Sequence, residues 1–288
     1  MLPRSIDLHT HTTHSDGSDT PEELVGKAAR AGAIALAITD HDTVSGLAEG
    51  RSAAQQLGVE FVDGIEISAE YSPGTMHLLG YCIDGPVIEP DLIELKDARD
   101  RRNPQIASRL QELGLDIPYE EVQAIAGGEM VGRPHFARLM VEKGYVHSIQ
   151  DAFNAFLAKG APAYVEKLRL SPEAAIDLIH RAGGVAVLAH PYQLKLPSFD
   201  AVHRLIAELA GLGLDGVEAI YSRHSTAERS TYAEIARRHE LLVTGGSDYH
   251  GTYKPDLNLV TGKGDLEVPY RLLEEIKARA TSMKANRQ

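Results

Sequence analysis

The chain has 288 residues, enough for one large α/β domain or a main domain with a smaller insert, and its 43% hydrophobic and 24% charged composition excludes a disordered or fibrous protein. A formal net charge of -12 argues against a broad electrostatic footprint for duplex nucleic acid, so an anionic substrate needs local cations, which metal ions could supply. The single Cys82 cannot form an internal disulfide, the N-terminus MLPRSIDLHTH lacks the apolar core of a signal peptide, and no apolar run approaches the ~20 residues of a membrane span, so a cytoplasmic protein without a membrane partner is expected.

Apolar runs of strand length alternate with segments of helical periodicity, the pattern of βα units and a parallel sheet. A strand at 5–8 is followed by a helix whose start is written in Thr20-Pro21-Glu22-Glu23, a capping residue before a first-turn proline with a capping-box glutamate, and whose end is marked by Gly32. Strands follow at 33–39, 60–67 and 76–83. The rhythm then breaks into consecutive helices at 92–113, 119–126, 134–144 and 149–158, read as an insert covering one edge of the active-site face. It resumes with a helix capped by Ser171-Pro172-Glu173 and ending at Gly183-Gly184, then strands at 185–189, 216–221 and 241–244. The tail after Ser282 is expected to fray.

Histidines and carboxylates gather at the ends of these strands. His9 and His11 follow the first strand as H-x-H, a spacing that in extended chain points both imidazoles to one side, and Asp16 follows in HSDG. His41 stands after the second strand in TDHD, Glu66 near the end of the third in GIE, and His77 at the fourth in MHLLGY. His190 follows the fifth in AHP, and Asp248 and His250 follow the last in GSDYH. Parallel sheets and barrels place active sites at the carboxyl ends of their strands, so these residues should converge on one face. One such histidine alone would read as structural or exposed, but nine ligand-type residues at strand ends do not read as accident. Imidazole with carboxylate suits Zn, Mn or Fe(II), and nine ligands with a bridging carboxylate fit two or three ions. His14 has no assigned role. His147, His180, His203 and His239 lie on helical patterns away from strand ends and read as ordinary surface or packing residues.

The segments HTHTTHSDG, TDHD, GIEIS, HLLGY, AHP and GSDYH resemble the motifs of the PHP (polymerase and histidinol phosphatase) family, with the likeness running from Ile6 to His250. The resemblance implies an α/β fold, a distorted (β/α)7 barrel formed by 1–91 and 165–288, with 92–164 as the helical insert. It also implies a metal cluster in which His9, His11, Glu66 and Asp248 hold one ion, Asp16, His41 and His250 a second, and Glu66, His77 and His190 a third, Glu66 bridging. Manganese is expected first, with zinc or ferrous iron as alternatives.

Closely spaced metals can share a hydroxide, lower the pKa of its parent water and neutralise phosphoryl charge during in-line displacement; a carboxylic amide hydrolase could use similar ions, and it is the PHP resemblance that implies phosphate ester hydrolysis. His224 in YSRHS is the candidate leaving-group acid or phosphate contact, and Asp40 in TDHD is placed to orient a ligand or relay a proton. Arg133 and His135 in VGRPHF, together with Lys167 and Arg223, are candidates for holding a remote phosphate. The compact length and the insert resemble stand-alone family members acting on nucleotides. Removal of the 3'-phosphate from 3',5'-bisphosphate nucleotides is therefore the first expectation, with a nucleotide or short oligonucleotide end as partner. A 5'-3' exonuclease on short RNA or DNA ends and a histidinol phosphate phosphatase are the alternatives. A noncatalytic metal-binding or polymerase-associated module is the reading from a different class.

Overall fold

A computed structural model of the chain describes residues 5–127 and 131–285. β1 (Ile6–Asp7) leads to α1 (Pro21–Arg30), β2 (Ala35–Ile38), α2 (Leu47–Leu57), β3 (Glu60–Ala69) and β4 (Met76–Tyr81). A helical segment follows, comprising α3 (Gly85–Glu112), α4 (Tyr119–Ala126), α5 (Arg133–Glu142) and α6 (Ile149–Ala152), the last continued by a π turn at Phe153–Leu157. The alternation returns with α7 (Pro172–Arg181), β5 (Val185–Leu188), α8 (Phe199–Gly211), β6 (Gly216–Tyr221), α9 (Thr226–Arg238) and β7 (Leu242–Gly246), and α10 (Arg271–Ala285) ends the described chain. Both sequence-marked caps form: the Thr20 side chain accepts from Glu23 N with Glu23 returning the bond, and Ser171 accepts from Ala174 N.

The strands make one sheet in the order β1-β2-β3-β4-β5-β6-β7. It is not the all-parallel sheet predicted, because β4 runs antiparallel to both β3 and β5. The cause is the link between β3 and β4, residues 70–75, since a parallel pair requires a crossover of about a dozen residues or more. The reversal serves the site. His77 pairs with Ser68 near the end of β3, so the start of β4 lies at the same end of the sheet as the carboxyl ends of the parallel strands.

The sheet nearly closes into a barrel. Between β7 and β1 the backbone supplies Asp248 N to His9 O at 2.8 Å and His11 N to Tyr249 O at 2.9 Å. The buried Asp7 carboxylate accepts from Ser247 N and Val260 N, each at 2.8 Å, fastening the seam below. Gly246 is required there, because a β-carbon at this position would lie 2.4 Å from that of His9.

Side-chain alternation along the strands makes two apolar layers. Leu36 and Ile38 of β2 pack outward with Leu24, Ala54, Ile176 and Ile179 of the surrounding helices. Ala35 and Ala37 face the barrel interior with Ile6, Tyr81 and Val187, and Leu272, Leu273 and Ile276 of α10 cover that layer. Each fully buried aliphatic side chain contributes about 1.5–3 kcal/mol. α10 is absent from the predicted elements, and the tail expected to fray beyond Ser282 stays helical to Ala285, residues 286–288 lying outside the described chain. The helical segment has its own apolar centre, including Ile106, Leu110, Val122, Phe136, Met140 and Leu157. α3 starts at Gly85, earlier than predicted, and joins the two bodies: Ile88, Leu92 and Leu95 pack with the barrel, Ile106 and Leu110 with the helical segment. No described helix is long and apolar enough to cross a membrane.

Candidate metal centre and its cavity

The nine ligand-type residues meet at the carboxyl-end face of the barrel. His9 Nε2 lies 3.3 Å from Glu66 Oε2 and 3.5 Å from Asp248 Oδ1, and His11 Nε2 lies 3.2 and 3.4 Å from the same two oxygens. Glu66 also faces His41 Nδ1 at 3.2 Å, His77 Nδ1 at 2.8 Å and His190 Nε2 at 3.0 Å. Asp16 approaches His250 Nε2 at 3.2 Å and His41 Nε2 at 3.9 Å. Ligand atoms fall within 4.8 Å of one another in overlapping groups: His11, Asp16, His41 and His250; His9, Glu66 and His190; His9, His11 and Asp248; His41, Glu66 and His77.

This donor set fits divalent cations. Among the described residues His9 Nε2, His11 Nε2, His41 Nδ1, Asp16 Oδ1 and Glu66 Oε2 are buried without hydrogen-bond partners, a condition that costs about 1–3 kcal/mol for each group. Cations would satisfy them, and mixed nitrogen and oxygen donors suit Zn, Mn or Fe(II) over a thiophilic ion. Burial opposes ionisation of Asp16, Glu66 and Asp248. The adjoining imidazoles, with Lys254 at Asp248, nonetheless hold all three carboxyl groups well below the usual carboxylate range.

A surrounding layer aims these groups. Asp248 Oδ2 accepts from Tyr221 OH at 2.8 Å and Lys254 Nζ at 2.7 Å, which leaves Oδ1 toward the histidines. Glu218 lies behind His9, 2.9 Å from its Nδ1. Asp40 is buried and accepts from Thr12 N at 2.7 Å, from Thr12 Oγ1 at 2.6 Å and from Ser15 Oγ, pinning the turn that carries Asp16. Asp40 does not line the cavity or the recess beside it, and what it holds is that turn. The backbone is left-handed at Asp42, His190 and Asp248, with φ of 55°, 25° and 57°, local strain of the kind that clusters at functional sites.

A cavity of about 780 Å³ opens over the centre, and a recess of about 240 Å³ adjoins it at Asp16, His41 and His77. Cations wall the recess: Arg99, Arg102, Arg133, Lys167 and Arg169. Arg99 and Lys167 both donate to Asp42 Oδ2, and Lys167 Nζ also reaches Ser68 Oγ at 2.6 Å. Burial, against the pull of Asp42 and with the push of Arg99, lowers the Lys167 ammonium to about 7. Arg102 is 5% exposed, and among the described residues its guanidinium donates to Asn103 Oδ1 at 2.8 and 3.2 Å. Burial, then repulsion from Arg99, Arg133 and Arg169, brings it down to about 9. Arg133 starts α5, donates to Leu157 O at 3.1 Å, and stands 5.7 Å from the Phe153 ring centre and 5.5 Å from that of Tyr164.

Of the residues predicted to handle substrate, Arg133 and Lys167 line the recess, and Arg223 lines the larger cavity, held by Asp256 at 2.9 and 3.0 Å. Two are placed elsewhere. His135 Nδ1 accepts from Gly132 N at 2.9 Å, which caps α5, and its buried ring packs on Tyr253; it lines neither space. His224 is buried among Tyr192, Tyr221 and Tyr232 with Nδ1 2.9 Å from Ala219 O. Burial lowers it to about 4, and it lines neither space, so it is a neutral packing residue at neutral pH and no longer the candidate acid. Arg99, Arg102, Arg169 and Lys254 were not singled out from the sequence.

A PHP domain model matches residues 7–86. The chain is 39% identical over 248 residues to the 5'-3' exoribonuclease Rnm of Escherichia coli, covering 85% of this chain and 84% of that one. It is 35% identical over 249 residues to the 3',5'-nucleoside bisphosphate phosphatase of Chromobacterium violaceum, covering 85% and 87%. A solved amidohydrolase structure from Chromobacterium violaceum, with bound sulfate and no metal, superposes over 96% of both chains with a TM-score of 0.86 and 33% identity. Fold and relatives together define a metal-dependent hydrolase of phosphoesters built on a nearly closed seven-stranded barrel. The chain belongs to the PHP family.

Proposed function

We propose that this enzyme hydrolyses a phosphate monoester of a nucleotide, first of all the 3'-phosphate of 3',5'-bisphosphate nucleotides. In this reading His9, His11, Asp16, His41, Glu66, His77, His190, Asp248 and His250 hold two or three divalent ions, manganese before zinc or ferrous iron. The segment 92–164 is an insert into a barrel of 1–91 and 165–288, and it carries substrate selection.

The observation that carries the reading is the cationic recess beside the imidazole and carboxylate group. A buried cation without a carboxylate costs several kcal/mol, and among the described residues Arg102 is in that position. A phosphate in the recess would offset this through charge-assisted hydrogen bonds of about 1.5–3 kcal/mol each. The bisphosphate phosphatase at 35% identity and the sulfate bound by a similar structure support the reading.

Ions at the centre supply Lewis acidity, acidifying water and neutralising charge on the transferring phosphoryl group. The chain's own residues position the reaction. Tyr221 and Lys254 hold Asp248, and Asp40 holds the turn of Asp16. Arg133, which borders both spaces, would grip the remote phosphate so that its binding energy places the reacting one. The P–O ester bond breaks, the oxygen of water joins phosphorus, and the departing 3' oxygen takes a proton.

A second reading, trimming of short RNA from the 5' end, has an observation of its own. The larger cavity extends to Tyr192, Lys195 and Arg223, and Lys195 Nζ lies 5.0 Å from the Tyr192 ring centre, a cationic and aromatic wall on which further nucleotides could stack. The relative at 39% identity carries that activity in its name. One assay separates the readings: manganese-loaded protein is offered 3',5'-bisphosphate nucleotides, short 5'-phosphorylated oligonucleotides, histidinol phosphate and nitrophenyl phosphate. The highest kcat/KM is expected on the bisphosphate. A higher value on oligonucleotides establishes the second reading, and no preference for a second phosphate removes the recess from the argument.

A further inference from the structure

Glu218 belongs neither to the nine ligand-type residues nor to the walls of either space. It stands within β6 and is 0% exposed. Its Oε1 lies 2.9 Å from His9 Nδ1, and its Oε2 accepts the backbone N–H of His190 at 2.8 Å. We propose that Glu218 is a positioning residue that sets two metal-facing histidines at once, keeping the His9 proton on Nδ1 so that Nε2 offers its lone pair to a cation, and pinning the backbone that presents His190. This rests on reading His9 and His190 as ligands.

The geometry leaves His9 one useful tautomer. Glu218 Oε2 accepts from the His190 amide, and with Oε1 likewise the acceptor, the contact with His9 places the hydrogen on Nδ1, a neutral imidazole having only one to place. The opposite nitrogen is the buried, unpartnered Nε2, 3.3 Å from Glu66 and 3.5 Å from Asp248. A proton on Nε2 would point at the space a cation must enter. At His190 the backbone φ of 25° is unfavourable for a residue with a β-carbon, and the amide of that same residue is the one tied to Glu218 while its Nε2 meets Glu66 at 3.0 Å. The same carboxylate thus braces ligands delivered by β1 and by the end of β5. Glutamine cannot replace it, because its single carbonyl oxygen serves only one of the two donors and its NH2 group then opposes the other.

The test uses Glu218→Gln and Glu218→Ala, with His9→Ala as control. Affinity of metal-stripped full-length protein for Zn2+ and Mn2+ is measured by chelator competition. Long-range 1H–15N correlations of the zinc-loaded native protein show which His9 nitrogen bears the proton, the signal being assigned by its loss in His9→Ala. Expected are a proton on His9 Nδ1 and a loss of about 10–100-fold in metal affinity for Glu218→Gln, the usual effect of removing an outer partner of a ligand. Thermal unfolding of the metal-free variant should stay near that of the native protein, whereas a merely structural role would lower it and leave affinity alone. Native affinity in Glu218→Gln, or a His9 proton on Nε2, overturns the proposal. Unchanged affinity in His9→Ala strikes the ligand reading beneath it instead. Should neither Glu218 variant fold, the tautomer in the native protein decides.

Discussion

The imidazole and carboxylate group at the barrel mouth and the cationic recess under the helical segment border the same space but are assembled differently. At the barrel mouth the ligand-type residues sit on strands or just beyond them, so sheet register delivers each to its place: His77 on β4 pairs with Ser68 on β3, two residues from Glu66, and Asp248 is fastened to His9 by backbone. In the recess no register operates. Arg99 and Arg102 come from α3, Arg133 from the first turn of α5, and Lys167 and Arg169 from the return toward α7, each steered by a local acceptor such as Asp42, Asn103 or Leu157 O. One region concentrates donors that require cations, the other cations that require an anion. On the proposed function the barrel carries the chemistry and the helices carry the choice of substrate.

That division predicts that damage at the barrel mouth is felt by every substrate. His9→Ala and Asp248→Asn should each lower kcat on the order of 10³-fold on bisphosphate nucleotide and nitrophenyl phosphate alike, the loss of several kcal/mol of metal assistance, and chelation should do the same. Undiminished turnover by demonstrably metal-free protein would break the comparison at its root. Glu66 should be the most sensitive carboxylate for loading, because five imidazoles lie within 3.3 Å of it. Elemental analysis of Glu66→Gln beside Asp16→Asn and Asp248→Asn tests this, and a native metal content in Glu66→Gln would refute a bridging role.

Damage in the recess should be selective. Arg133→Ala and Arg102→Met should each cost about 10- to 100-fold in kcat/KM on a substrate with two phosphates, one charge-assisted contact, and leave nitrophenyl phosphate little changed. Equal losses on both substrates would assign the arginine to the fold or to the chemistry. Arg102→Met has a second signature. Among the described residues Arg102 meets no carboxylate, and exchanging it for an apolar side chain removes a desolvation penalty of several kcal/mol, so this variant should unfold at higher temperature while losing its preferred substrate.

The same contrast explains what was legible in the sequence. H-x-H, GIE and GSDYH could be read because an extended strand converts spacing into direction, and strand ends share a face. The antiparallel β4 is implied only by the short link after β3, and α10 lies beyond the last ligand-type residue, where no motif marks it. The recess was legible only in part. Arg99 and Arg102 are three apart on one helix, a spacing shared by countless solvated helix faces, and nothing local to them announces Arg133 or Lys167 as neighbours. His135 and His224 show the converse error, in which a polar residue beside a motif proves to cap the helix or fill the core.

Lys167 allows the recess to be titrated. With its ammonium near 7 in the folded protein, raising the pH through that value should remove one positive charge and raise KM several-fold for the two-phosphate substrate, an effect that Lys167→Arg should flatten. The stability change has a definite sign. The unfolded chain keeps this proton up to 10.5, so between 7 and 10.5 it binds more protons than the folded one, and stability rises with pH by up to about 1.4 kcal/mol per unit from this group. Lys167→Met should lose that slope in denaturant titrations, and a slope identical to native would show that Lys167 stays charged.

The smallest effect on turnover is expected at His224, where it is the most informative. A leaving-group acid contributes about 10²–10⁴-fold, so if His224 served that role His224→Gln would be severely impaired and would lose the alkaline limb of its pH profile. The structure predicts otherwise, because the ring donates to Ala219 O, is enclosed by tyrosines, reaches neither space, and is lowered by burial to about 4. kcat and the shape of the profile should therefore be close to native in His224→Gln. The residue should register instead in acid stability. Between the ordinary value of 6.5 and about 4 the unfolded chain binds a proton that the folded chain refuses, so native stability falls as the pH drops through this window, and His224→Gln should fall less steeply. A hundredfold loss of kcat with an unchanged acid-stability slope would return His224 to the active centre and would require the loop after β6 to move toward the cavity before the proton is delivered.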